Sequence, residues 1–279
     1  MSVVDTKPLL HKLNEMSKQQ TEVKIVEMHR EVLCEQLRGY FPEASCDEIQ
    51  EELLWRGIFE PSESNTLENV LKRLEAKRVW NTIQKEYDYL KEKWKGPDVS
   101  IFIYPLTKHR PIVDGKEVTK NGVSYNNLLI LFVSAELETE ELRALFAHEY
   151  HHICRLAYLN KSPHEIELLD SLLIEGMAEC AVGELYGENL LSPWTKGYSQ
   201  EECMKVWKNH FVEAIKLKSV DNHFSYLYGN EGEGLPKWIG YCLGYKIVRS
   251  YLANGGSSNQ EILYKVPSLT ILEGSIFKF

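Results

Sequence analysis

His148-Glu149-Tyr150-His151-His152 is the stretch of this chain with the clearest chemical potential. On a helix, residues four apart project from one face about one turn from each other. The imidazoles of His148 and His152 can therefore reach a single cation, while Glu149 leans toward the same space. Neutral imidazole suits zinc, and a carboxylate beside it can act as a base toward water. The pattern is HExxH, and three things must come from elsewhere: a helix under the pentad, a third ligand and shelter from bulk water.

Leu142, Leu145, Phe146, Ile153 and Leu156 give the surrounding segment an apolar stripe of helical period. Glu140 and Glu141 fall in its first turn, where the helix dipole favours acids, and Ser134 or Thr139 is expected to cap it. A metzincin would carry a glycine three residues after the pentad and a histidine three further on, but Arg155 and Tyr158 stand there. The third ligand is expected from the next helical segment, His164 to about Tyr186. Within it, Glu175 interrupts the apolar run Leu172-Leu173-Ile174-Glu175-Gly176-Met177-Ala178. A carboxylate set there is costly unless it is paired or bound to a metal. The interval from His152 lets a second helix return antiparallel to the first, which makes Glu175 the leading ligand. Glu179, one turn further along, is placed to accept the other N–H of a ligand histidine, and Gly176 would let the two helices approach closely. His151 points roughly 100 degrees around the helix from His152 and reads as structural. His164 reads as a helix-start residue, and Cys154 faces the wrong way. Asp170 or Glu167 could serve only if Glu175 were turned into the core without a partner.

The rest of the chain supplies the frame. Of 279 residues, 43% are hydrophobic, enough for a substantial core, and the net charge of -9 gives no basic surplus with which to bind nucleic acid. The amino terminus lacks the basic and apolar regions of a secretory signal, and the longest apolar run, Leu128 to Val133, is far too short to span a membrane. A cytoplasmic, non-membrane protein is expected. Six cysteines without a CxxC pair read as reduced thiols. Helical pattern runs from Leu9 to about Leu37, from Ser45 to about Gly57 and from Asn65 to Trp94. Strand-like pattern follows at Val99–Tyr104 and Asn127–Val133, with Asp114-Gly115 and Asn121-Gly122 as hairpin turn signals. The edge of this small sheet, at Asn126–Val133 or Ile101–Tyr104, could take up an extended peptide by strand addition. A third helix is expected from Pro236, and Gly255-Gly256-Ser257-Ser258 breaks the chain before a final segment that packs back. The fold class is α+β and mainly helical, with a small β-sheet preceding the HExxH helix. A helical amino-terminal region, 1–97, is expected to precede a zincin-like domain, 98–279.

His148-Glu149-Tyr150-His151-His152, Leu173-Ile174-Glu175-Gly176-Met177-Ala178-Glu179, Tyr228-Gly229 and Leu235-Pro236-Lys237-Trp238-Ile239-Gly240-Tyr241-Cys242-Leu243-Gly244-Tyr245 together resemble the bacterial YjaZ-like family of predicted zinc-dependent proteases. The likeness runs from about Ser100 to the carboxyl terminus. It implies a gluzincin-like site with His148, His152 and Glu175 as zinc ligands and Glu149 as base, and it supplies no substrate.

Two imidazoles and one carboxylate would leave a zinc ion with residual positive charge, able to acidify water and polarise a carbonyl. Peptide-bond hydrolysis, with Glu149 as general base and a peptide or protein as substrate, is the expected function. A developing oxyanion needs a donor from outside the two helices; Tyr241 is the candidate, with His223 and Tyr228 behind it. The alternative is a zinc-containing protein that binds a peptide or partner without cleaving it.

Overall fold

Caps and left-handed residues set where the helices of the amino-terminal half begin and end. A computed structural model describes residues 2–110, 112–113 and 116–278. Helices α1 (Lys7–Ser17), α2 (Glu22–Leu37), α3 (Cys46–Arg56), α4 (Leu67–Ala76) and α5 (Val79–Trp94) come first. The helix expected over 9–37 is thus two: Gln19 takes a φ of 67°, and the Thr21 side chain then caps α2 by accepting from the Lys24 N–H. The helix expected over 65–94 is likewise split, at Arg78 with φ 54°. Ser45 and Glu48 form a capping box that opens α3, and Gly57 closes it at φ 101°.

Strands β1 (Ser100–Pro105), β2 (Ile112–Val113), β3 (Lys116–Glu117), β4 (Lys120–Ser124) and β5 (Leu128–Val133) follow. The main sheet has the order β1-β5-β4, with β1 parallel and β4 antiparallel to β5. Every residue of β5 is buried, as its continuous apolar run requires of a strand covered on both faces. Two sequence expectations fail here. β5 is central rather than an edge, and the outer side of β1 carries Val3, whose neighbours Ser2 and Val4 bond the Ile101 backbone. Neither stretch named for strand addition is therefore open. Asn121 and Gly122 lie inside β4, opposite Phe132 and Leu131, while the turn into β5 is made at Tyr125–Asn127. Asp114-Gly115 lies outside the described residues.

Helices α6 (Thr139–Leu159), α7 (Leu168–Tyr186), α8 (Gln200–Val206), α9 (Phe224–Tyr228), α10 (Ile239–Ala253), α11 (Gln260–Leu263) and α12 (Ser268–Glu273) complete the chain, joined in places by 3-10 turns. The protein is mainly helical α+β, as expected. By packing it divides into two units, one of Met1–Tyr89 with Asp98–Phe146 and one of Leu90–Pro97 with Ala147–Phe279.

In the first unit, Cys34 at the end of α2 and Cys46 at the start of α3 form a disulfide, with Cα atoms 5.2 Å apart. This corrects the expectation of six thiols. The short connection between two packed helices brings the pair together, a proximity that their spacing in the sequence does not signal. Cys154, Cys180, Cys203 and Cys242 are free and buried.

In the second unit, α7 and α10 cross at two glycines. A Cβ on Gly176 would strike the Gly244 carbonyl, and one on Gly244 would strike the Leu172 carbonyl. Leu172, Leu173, Met177, Trp207, Phe211, Leu243 and Phe277 fill the core around this crossing. Arg155 is fully buried; its Nη1 donates to the Tyr264 and Val266 carbonyls at 2.7 Å and 2.7 Å, and its Nη2 to Ser268 Oγ at 2.6 Å. The residue that closes the metzincin reading thus fastens the carboxyl-terminal segment to α6.

Candidate metal centre

α6 lifts His148 and His152 onto one face of a buried helix, and α7 returns beside it carrying Glu175. Ser134 and Thr139 do not cap α6 as expected: Ser134 Oγ accepts from the Glu136 N–H, and Glu141 reaches back to the Glu138 N–H. α7 starts at Leu168, later than expected, behind a capping box of Glu167 and Asp170. Asp170 is bound by Lys161 at 2.6 Å and by the Ser268 hydroxyl, and His164 is exposed, so neither stands near the pentad's chemistry.

One ligand atom each from His148, His152 and Glu175 lies within 4.8 Å of the other two. Glu175 Oε2 stands 3.3 Å from His148 Nε2 and 3.6 Å from His152 Nε2. Two ligand atoms each about 2 Å from a tetrahedral zinc lie roughly 3.3 Å apart, so these separations suit a shared ion. The hydrogen-bond chemistry points the same way. His148 Nδ1 stands 3.0 Å from Glu179 Oε1, an arrangement in which Nδ1 carries a proton and Nε2 directs its lone pair toward Glu175. Two acceptors facing each other at that distance need a cation between them. Without a metal, a proton does this work: burial opposes a charge on His148, but the bonds from Glu175 and Glu179 prevail and hold its pKa well above the ordinary 6.5.

Glu179 is itself held. It is 2% exposed, and it accepts from the Ser192 backbone N–H at 2.9 Å and the Ser192 hydroxyl at 2.8 Å. Ser192 went unnoticed in the sequence, where a serine after the leucines at 190 and 191 carries no signal of its own. His152 Nδ1 is buried with no hydrogen-bond partner among the described residues, and its ring lies edge-on to His148 at 4.5 Å. Replacing Glu179 with alanine is expected to weaken zinc binding about 10- to 100-fold, because the His148 tautomer loses its anchor. Competition with a chromogenic chelator measures this, and unchanged affinity would remove Glu179 from the centre.

Glu149 is 7% exposed, and its charge is felt by both His152 and Tyr241. Tyr241, on the first turn of α10, has its pKa pushed far up, first by burial and then by the Glu175 carboxylate, so it stays a neutral phenol able to donate. Its hydroxyl shares a hydrogen bond with that of Tyr228. His223 drops out as a donor to substrate: fully buried, it bonds Ser171 Oγ through Nδ1 and the Leu217 carbonyl through Nε2, both at 2.8 Å. His151 is structural, as expected. It packs edge-on to Trp94, and its Nε2 meets Gln260 Oε1 at 3.2 Å.

A mainly helical α+β chain with two histidines and a glutamate gathered on adjacent helices belongs to the class of candidate metalloproteins. More particularly, residues 79–273 match the family described as predicted Zn-dependent protease (DUF2268), and the chain belongs to that family. It is 33% identical over 206 residues to the uncharacterized protein YjaZ of Bacillus subtilis (strain 168), covering 74% of this chain and 78% of that one. It is also 28% identical over 117 residues to the uncharacterized protein YjfC of the same organism, covering 39% of each. The residues of the candidate centre all lie inside the stretch matched by the family.

Proposed function

We propose that the chain is a zinc-dependent peptidase of the gluzincin kind, with His148, His152 and Glu175 as ligands and a peptide or protein as substrate. The observation that carries this reading is the spacing of the three ligand atoms around Glu175 Oε2. Zinc bound there would acidify water and polarise the scissile carbonyl. Glu149 then accepts a proton from the attacking water and delivers it to the departing amine. Tyr241, kept protonated, donates a hydrogen bond to the oxygen on which negative charge develops. Glu179 keeps His148 in the tautomer that leaves Nε2 available. The low exposure of Glu149 and His152, at 7% and 8%, limits competing water and strengthens each of these interactions.

No helix among the described residues is long and apolar enough to cross a membrane. The cytoplasm is kept as part of this proposal, supported by the four free cysteines, Cys154, Cys180, Cys203 and Cys242; the Cys34–Cys46 bond is the observation that runs against it. The test of function is cleavage of a mixed peptide library by purified protein. Cleavage is expected, with loss on treatment with a zinc chelator and recovery on adding zinc back. Cleavage that persists in the metal-stripped protein, or zinc-loaded protein that cuts nothing, would sink the proposal.

A further inference from the structure

Trp194, Tyr228 and Trp238 take no part in the chemistry proposed above, yet they surround the tyrosine that faces it. The Tyr241 ring lies 5.1 Å from Trp194, 5.3 Å from Tyr228 and 5.3 Å from Trp238, centroid to centroid. Tyr228 and Trp238 are 5.1 Å apart, and Phe224, 58% exposed, stacks on Tyr228 at 4.5 Å. These rings are not core. Trp194, Tyr228, Trp238 and Tyr241 are all only half-buried, whereas the core aromatics Trp207 and Phe277 of the same unit are closed off at 1% and 0% exposure.

The backbone holds this cluster in place. α9 ends at Tyr228, and Gly229 follows at φ 94°, where a Cβ would overlap the Pro236 backbone. Asn230 and Leu235 exchange both backbone hydrogen bonds, at 2.8 Å and 3.0 Å, and the Trp238 N–H donates to the Tyr228 carbonyl at 2.9 Å. Residues 228–238 are thus drawn into a closed loop whose two ends are aromatic rings. Trp238 holds its place with a φ of 60°, a left-handed conformation that strains a bulky residue. Strain at a half-exposed tryptophan beside a candidate catalytic cluster points to use by a ligand.

We infer that Trp194, Tyr228, Trp238 and Tyr241 form the subsite for a large apolar side chain, aromatic above all, on the residue next to the scissile bond. The assignment rests on the peptidase reading and adds the substrate preference. An aromatic side chain laid against these rings leaves water and gains ring–ring contacts besides. Alanine gains little of either. An acidic side chain gains neither and must give up its hydration to lie against the rings.

The test uses the full-length Glu149→Gln protein, zinc-loaded, titrated with two fluorescent peptides that differ only in a central Phe or Ala. The Phe peptide is expected to bind at least about tenfold more tightly. Adding Trp194→Ala should bring that ratio to within about twofold while the melting temperature holds; if that variant unfolds, Trp194→Leu with Tyr228→Leu reads the same ratio. Equal affinities in the parent, a ratio that survives loss of the wall residues, or binding of neither peptide would overturn the subsite. Cleavage of the same peptides by the unaltered protein, measured in parallel, judges the peptidase reading separately. Cleavage of both at equal efficiency, with equal affinities, fails the wall alone, whereas a retained binding ratio without cleavage fails hydrolysis alone.

Discussion

Replacing Glu149 with glutamine is expected to leave the zinc content unchanged and to cut turnover by roughly a hundred- to ten-thousandfold. This is the range that a positioned acid–base group supplies. Glutamine keeps the size of the side chain and one acceptor oxygen, but replaces the other with a donor NH2 and cannot take a proton from water. The metal ligands are other residues, so metal content should not fall. The variant also removes one of the charges that raise Tyr241 and reach His152, a secondary effect that leaves the phenol neutral because burial is the larger cause. Turnover and metal analysis on the same preparation separate the outcomes. Unimpaired turnover would remove Glu149 as base, and loss of zinc together with activity would mean that it holds the metal rather than the proton.

The second large effect is expected at Gly244, which carries no reacting group. In an unpacked helix, Gly→Ala stabilises by roughly 0.5–1 kcal/mol. At this crossing the new Cβ would overlap the Leu172 carbonyl, which is backbone and cannot swing aside. Overpacking costs about 1–3 kcal/mol or more, so the steric effect wins and the sign reverses. The consequence should reach the site, because Gly176, against the Gly244 carbonyl, directly follows Glu175 in α7. Moving α7 off α10 shifts that carboxylate relative to the histidines. Gly244→Ala should therefore lower both the melting temperature and zinc affinity. Gly39→Ala, where a Cβ meets nothing within 4 Å, should leave zinc affinity untouched. Equal zinc affinity in the Gly244→Ala protein and the parent would show that the crossing does not position Glu175.

The candidate centre was legible because its pieces are helical and short-ranged. Four-residue spacing places His148 beside His152 on any helix, and a glutamate inside an apolar run demands a partner wherever it lies. Glu179 follows from the same periodicity. What escaped the reading depends on contacts between segments distant in sequence, or on single backbone conformations. Apolar periodicity continues through Gln19 and Arg78, yet each turns left-handed and ends a helix. A continuous apolar run marks a strand covered on both faces but does not say which strands flank it, and only the folded chain shows β5 as central rather than an edge. Asn-Gly signals a tight turn, but tertiary pairing overrides it in β4. Ser192 and the Cys34–Cys46 bond are proximities with no local pattern at all. The sequence shows what Arg155 excludes, while its role as the tie to residues 264–268 depends on the packed chain.

All of these effects converge on one atom, Glu175 Oε2, set between two histidine nitrogens. The measurement that bears on it most directly is zinc per chain, by elemental analysis, in the unaltered protein and in Glu175→Ala, after both have been stripped and reloaded with one equivalent. Close to one zinc per chain in the first and almost none in the second, with both proteins folded, is the predicted result. Full zinc retention by Glu175→Ala, or no zinc in the unaltered protein, would contradict the centre described here.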